Sequence, residues 1–101
     1  MSYSIIVSES ADLHIKESLR WYEIQKKGLG RLFLLSIKDC LRILVNNPLT
    51  CAVVYLEIRR ILTKKFQHAL FYYIDSDKKQ VIIIAVLHTS QNPEIWKRLA
   101  Q

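Results

Sequence analysis

The stretch VIIIAVLHTSQNPEIW, residues 81–96, decides the architecture. Seven consecutive aliphatic residues end on His88, and a Thr-Ser-Gln-Asn-Pro segment follows at once. An apolar run of that length, bounded by turn-forming residues, reads as a strand over 80–88 with both faces buried. Such a strand needs cover above and below, and the rest of the chain is read for what supplies it.

Immediately upstream, the polar residues 75–79 form a turn, and ALFYYID, residues 69–75, alternates in polarity. The two segments make a β-hairpin. RRILTKK, residues 59–65, also alternates, and residues 51–57 are extended. If 59–65 is one strand, Arg59, Ile61 and Thr63 point one way and Arg60, Leu62 and Lys64 the other.

Before Pro48 the period is helical. YSIIV, residues 3–7, opens the chain as a short strand. Ser8 then offers an N-cap oxygen, with Glu9 and Asp12 in the first turn where the helix dipole favours acids. Ala11, Ile15, Leu19 and Tyr22 recur on one face as far as about Lys27. Leu13 and Ile24 fall on the opposite side, either as scattered surface apolars or as part of a partner interface. Gly28-Leu29-Gly30 breaks the pattern briefly, which implies an antiparallel helical hairpin.

The second helix covers 29–46. Phe33, Ile37, Cys40, Leu41 and Leu44 face inward, and Arg31, Lys38 and Arg42 face out. Asn46-Asn47-Pro48 ends it. At the other terminus, residues 93–100 form a short helix capped by Asn92 with Pro93 in first position. The order is β-α-α-β-β-β with a short C-terminal helix. This is an α+β fold: a small, mainly antiparallel sheet packed on a helical hairpin, one domain over residues 1–101. The hairpin covers one face of the 80–88 strand. Eight terminal residues are a small lid for the other, which points to a tightly bound partner.

Composition fits this reading. Of 101 residues half are hydrophobic and 24% charged, enough for one core and too apolar for disorder. No run reaches the roughly 18 apolar residues of a membrane span, and the opening Met-Ser-Tyr-Ser lacks a basic leader. The expectation is a cytoplasmic protein with no membrane role. Cys40 and Cys51 read as two reduced thiols, and neither has metal-ligand spacing to a Cys or His. A net charge of +6 favours an acidic partner: nucleic acid, an acidic protein segment or an anionic surface.

Two features could carry chemistry. A basic strand with Arg59, Arg60, Lys64 and Lys65 beside the aromatic Phe71 to Tyr73 could hold a nucleic-acid backbone and stack bases; the alternative is an edge strand protected by lysines. His88, at a strand end, is the residue best placed for acid–base work, with His14 on a helix flank and His68 in a connection as weaker candidates. The expected role of His88 is nevertheless mainly structural: to bond the backbone of the 89–93 turn and lock the strand end against the terminal helix. No glycine-rich phosphate loop, paired carboxylates or Cys–His nucleophile is visible, so no cofactor and no metal is expected.

Taken in order, the pieces resemble one family. The opening strand with SESA, then WYE…GLGRLF, NPL, IRRILTKKFQHALFYYID and IIIAVLHTSQNP resemble the RelE/ParE superfamily of toxins from type II toxin–antitoxin systems, closest to its ParE-like branch. The likeness covers nearly the whole chain. It implies a small sheet backed by a helical hairpin, and a cognate antitoxin whose C-terminal segment wraps the toxin in a hetero-oligomer. It implies either inhibition of DNA gyrase, as in ParE-like members, or cleavage of messenger RNA on the ribosome, as in RelE-like members. The family's strand arginine falls on Arg59, its loop aromatic on Phe66, its strand tyrosine on Tyr73 and its strand-end histidine on His88. Gln67 stands where proline is usual, and Gln91 where the family has arginine. Gln lacks the charge and the donor fork of Arg, so a further alternative is an attenuated copy acting mainly as an antitoxin-binding module. Leu13, Ile24, Arg59, Arg60 and Gln91 are the expected partner-binding residues, with Leu13 and Ile24 on the helix flank expected to meet the antitoxin. For an endonuclease, Arg59 and Lys64 would hold phosphate, His88 would act as acid or base, and Tyr73 would stack.

Overall fold

The computed structural model describes residues 2–100. Strand β1 (Ser4–Val7) leads into helix α1 (Glu9–Gln25) and helix α2 (Leu29–Asn46). A 3-10 turn at Pro48–Thr50 precedes β2 (Val53–Tyr55), β3 (Ile58–Leu62), β4 (His68–Asp75) and β5 (Gln80–His88), and α3 (Glu94–Leu99) closes the chain. The sheet order is β1-β5-β4-β3-β2; β1 runs parallel to β5 and the other pairs are antiparallel.

Local chemistry explains the helix ends. Ser8 Oγ accepts the Ala11 N–H at 3.1 Å, with Glu9 and Asp12 in the first turn. Gly28 sits at φ 91, a left-handed value that glycine adopts without steric cost. Gly30 is no part of the break. It lies in the first turn of α2, where a Cβ would come 2.9 Å from the Leu19 carbonyl oxygen, so it lets the two helices close on each other. The Glu23 carboxylate then accepts both the Gly28 and Gly30 N–H groups at 3.1 Å, capping α2 from α1. Asn92 Oδ1 caps α3 by accepting the Glu94 N–H at 3.0 Å.

Two cores lie on opposite faces of the sheet. Under the helical hairpin, Phe33, Ile37, Leu44, Leu70, Tyr72, Val81, Ile83 and Val86 pack together. On the other face, Ile58, Phe71, Ile84, Leu87 and Trp96 form a second cluster. The Trp96 ring stacks on Phe71 at 4.5 Å and 14°, and Tyr55 meets its edge. The C-terminal helix is therefore a better lid than its length promises, because one large flat ring covers the centre of the face. Over these residues the chain closes its own sheet, so the doubly apolar strand does not on its own demand a partner.

Two sequence expectations change. The segment expected as one strand over 59–65 ends at Leu62, and Lys64 and Lys65 leave the sheet in a turn. Lys64 therefore does not share the outward face with Arg60 and Leu62. The extended segment over 51–57 contributes only Val53–Tyr55 to the sheet.

Candidate functional site: the histidine end of the sheet

One irregularity in β5 sets the site. Phe71 pairs with Ala85 but Tyr72 pairs with Ile83, so Ile84 is an extra residue, a β-bulge. Val81 and Ile83 face the helices, then Ile84 and Ala85 both join the opposite cluster, and Val86 returns to the helix side. The bulge shifts the alternation by one residue. Without it His88 would share the far face with Ile82 and Ile84; with it, His88 stands beside His68, its cross-strand partner.

The two imidazoles meet nearly at right angles, 88°, with centroids 5.3 Å apart. His68 is 4% exposed and enclosed by Tyr22 of α1, Phe33 of α2 and Phe66. Its Nδ1 lies 3.0 Å from the Phe66 carbonyl, which only accepts, so Nδ1 carries the proton and Nε2 is a bare acceptor. The Tyr22 hydroxyl is 3.4 Å from the same nitrogen. His88 has the opposite arrangement. Its Nδ1 accepts the Ser90 N–H at 3.1 Å, with the Ser90 hydroxyl at 2.7 Å, so the neutral ring is protonated on Nε2. Burial holds the His68 pKa below the usual imidazole value; the Phe66 carbonyl opposes this and the His88 charge reinforces it. Burial also raises the Tyr22 hydroxyl above its ordinary value.

The turn beside this pair is strained. Lys65 at φ 75 and Gln67 at φ 53 are both left-handed without being glycine. Thr63 and His68 clamp its base: the Thr63 N–H donates to the His68 carbonyl at 2.8 Å, and the His68 N–H to Thr63 Oγ1 at 3.1 Å. The result is a cavity of about 740 Å³ whose wall includes Trp21, Tyr22, Phe66 and His88 and whose rim includes Lys64 and Lys65. A smaller cavity of about 360 Å³ adjoins it and is lined by His68, His88 and Gln91.

The expected site residues divide between the two ends of the sheet. His88, Lys64 and Gln91 are at this end. Arg59 pairs with Tyr72, four residues from His68 along β4, or roughly 13 Å at strand rise. Its guanidinium donates to the Leu49 and Cys51 carbonyls, anchoring the segment after α2. Tyr73 is one residue further away and faces the opposite side of the sheet. The endonuclease set of Arg59, Lys64, Tyr73 and His88 therefore does not converge. Arg60 is exposed on β3. Leu13 and Ile24, 55% and 75% exposed, lie on the outer side of α1, roughly 16 Å apart. Leu13 flanks α3 and Ile24 flanks Leu34 of α2. Gln91 braces the turn: its Oε1 accepts the His88 N–H at 2.9 Å, a role arginine cannot fill because it has no acceptor.

Sequence reasoning misses Trp21 and Tyr22 in this setting, ranks His68 below His88, and reaches Phe66 only through the family resemblance. A helix flank and a connection gave no local signal; only the pairing of His68 with His88 joins them.

The model of the ParE toxin of type II toxin–antitoxin systems, parDE, matches residues 5–93. The chain belongs to the ParE toxin family. Solved structures agree in fold. A chain of the chromosomal ParDE system from P. aeruginosa superposes with a TM-score of 0.74 at 10% identity, covering 86% of this chain and 96% of that one. The RelBE2 toxin–antitoxin complex from Mycobacterium tuberculosis gives 0.64 at 15% identity, covering 87% and 99%. The intact E. coli RelBE complex gives 0.66 at 17% identity, covering 89% and 100%. No curated protein sequence matches the chain. Among the described residues of this ParE-family chain, no helix is long and apolar enough to cross a membrane, and no group of three or more His, Cys, Asp or Glu could hold a metal ion.

Proposed function

We propose that this ParE-family chain is a toxin that inhibits DNA gyrase by binding and is neutralised by a cognate antitoxin. The observation that carries the binding mode is the division of the expected catalytic residues. Arg59 is engaged with two main-chain carbonyls, and Tyr73 lies on the opposite face from the histidines. Of the expected phosphate-holding pair only Lys64 lies near His88, and an arginine held that far from the acid–base group does not act with it on one scissile bond. The antitoxin reading draws on the matched family and on relatives solved as toxin–antitoxin complexes. Leu13 and Ile24 leave an apolar outer face on α1, and a +6 chain suits an acidic partner segment. The contact surface would be that flank together with Arg60 and the exposed part of the sheet.

A second reading, cleavage of mRNA on the ribosome, has one observation in its favour: His88 and Lys64 line the same cavity, beside His68. Induced expression with two readouts separates them. Loss of supercoiling by purified gyrase with intact transcripts is expected. Cleaved transcripts with unaffected gyrase would replace the first reading by the second.

A further inference from the structure

We propose that the cavity at the histidine end binds one nucleotide of single-stranded DNA, its base against the aromatic wall and its phosphate at Lys64 and Lys65. The proposal rests on the gyrase reading for the source of the DNA, since gyrase acts on DNA. The chemistry of the cavity stands apart from it.

The volume of about 740 Å³ is that of a small-ligand cleft, roughly 300–1,000 Å³. Its wall is aromatic and already positioned. Trp21 is 57% exposed, yet its ring is held edge-on by Tyr22 at 5.1 Å and 83°, and Tyr22 is held by Phe66 at 5.0 Å and 77°. An exposed indole braced by two further rings offers a stacking surface without an ordering cost on binding.

The cations are equally prepared. Lys65 and Gln67 keep left-handed backbone conformations, and the Thr63–His68 clamp holds the turn in that shape. Strain of this kind costs free energy and persists where the surroundings enforce it, commonly at binding sites. Here it keeps Lys64 and Lys65 at the rim. Neither ammonium group has a carboxylate partner among the described residues: Asp39, the acid on this rim, is paired with Arg42 at 3.0 Å. Ring faces next to unpaired ammonium groups match a base next to its phosphate. An acidic peptide would satisfy the lysines but leave the indole face unused.

The test uses the purified full-length chain and an oligothymidylate of about twelve residues, followed by anisotropy of a fluorescein label and by quenching of tryptophan fluorescence. Lys64→Gln/Lys65→Gln is expected to weaken binding at least tenfold and to lower the slope of log affinity against log salt by about 1.4, two phosphate contacts' worth. Trp21→Ala is expected to weaken it roughly tenfold and remove most of the quenching. Lys27→Gln/Lys78→Gln removes the same charge elsewhere and should change affinity less than about twofold. All of these side chains are exposed, and thermal melting checks that each variant folds.

Equal losses in the two lysine pairs, absence of quenching, or equal competition by a duplex of the same length would each overturn the proposal. Tighter binding of oligouridylate than of oligothymidylate would overturn DNA as the source. Gyrase inhibition without oligonucleotide binding sinks this inference and leaves the proposed function standing. Oligonucleotide binding without gyrase inhibition sinks the proposed function and the DNA source with it.

Discussion

The two ends of β3 carry the same kind of charge and use it in opposite ways. At the Arg59 end the guanidinium is bound to the Leu49 and Cys51 carbonyls, and the Tyr72 hydroxyl donates to the Pro48 carbonyl at 2.6 Å. Cys40 is buried in the core between the two ends, its Sγ 3.6 Å from the carbonyl of Leu62, the last residue of β3. The Arg59 and Tyr72 side chains close the chain upon itself. At the Lys64 end the polar groups are held in place by the backbone but left open to a cavity. The difference teaches that a basic cluster read from sequence is two things: cations that complete the fold, and cations the fold presents.

The largest expected effect comes from alkali, which acts on the core between the two ends. Burial pushes the Cys40 thiol up from 9.0 to about 11, with the Asp39 and Cys51 charges adding to it, and burial also raises the Tyr72 phenol. A group whose pKa is raised on folding contributes fully below its unfolded value and loses that contribution as pH climbs. Stability should therefore fall between about pH 9 and pH 11, by about 2–3 kcal/mol from Cys40 alone. Chemical denaturation at pH 8 and pH 10.5 measures the loss, and Cys40→Ala should remove most of it. A flat profile would mean the thiol is reached by water.

Next comes Arg59→Met, which leaves two carbonyl acceptors without their charged donor. We expect about 2 kcal/mol of destabilisation in urea and unchanged toxicity per folded molecule. Lys64→Gln/Lys65→Gln should do the reverse, keeping stability and lowering function. If Arg59→Met abolishes toxicity at unchanged stability, the two ends are not divided as described.

The histidine end should fail in acid. The His68 pKa is depressed mainly by burial, and so is that of His14, whose Nδ1 accepts the Val86 N–H at 3.2 Å. A His depressed on folding contributes stability that is full above its unfolded value near 6.5 and is lost as pH falls below it. The melting temperature should therefore drop between pH 7 and pH 5, and His14→Gln/His68→Gln should flatten that slope. His88→Ala removes the ring that accepts the Ser90 N–H; at an exposed turn the expected cost is about 1 kcal/mol.

The smallest effect sharpens the role of Gln91. Gln91→Arg restores the family's residue but removes the acceptor for the His88 N–H. At this exposed position the cost should be a few tenths of a kcal/mol, read as a shift of about 1–2 °C in melting temperature. A sharp rise in toxicity beside that small change would assign position 91 to the functional surface, and unchanged toxicity would leave it as a brace.

Periodicity, capping residues and turn chemistry were enough to locate both long helices, the β4–β5 hairpin, the Ser8 and Asn92 caps and the α+β class, because each of those signals is local and repeats within a few residues. Helix pairing at Gly30 and the end of β3 at Leu62 were not legible, since they depend on how closely one segment approaches another. The candidate site was half legible: His88 and Lys64 declared themselves by position and Phe66 through the family resemblance, whereas the pairing of His68 with His88 and the part of Tyr22 did not. The deciding feature is the bulge at Ile84. In an all-aliphatic run every register looks equally apolar, so composition carries no information on which residue is extra. Packing chose it, when Ile84 and Ala85 both turned towards Phe71 and Trp96, and that one-residue shift brought His88 to the helix side beside His68.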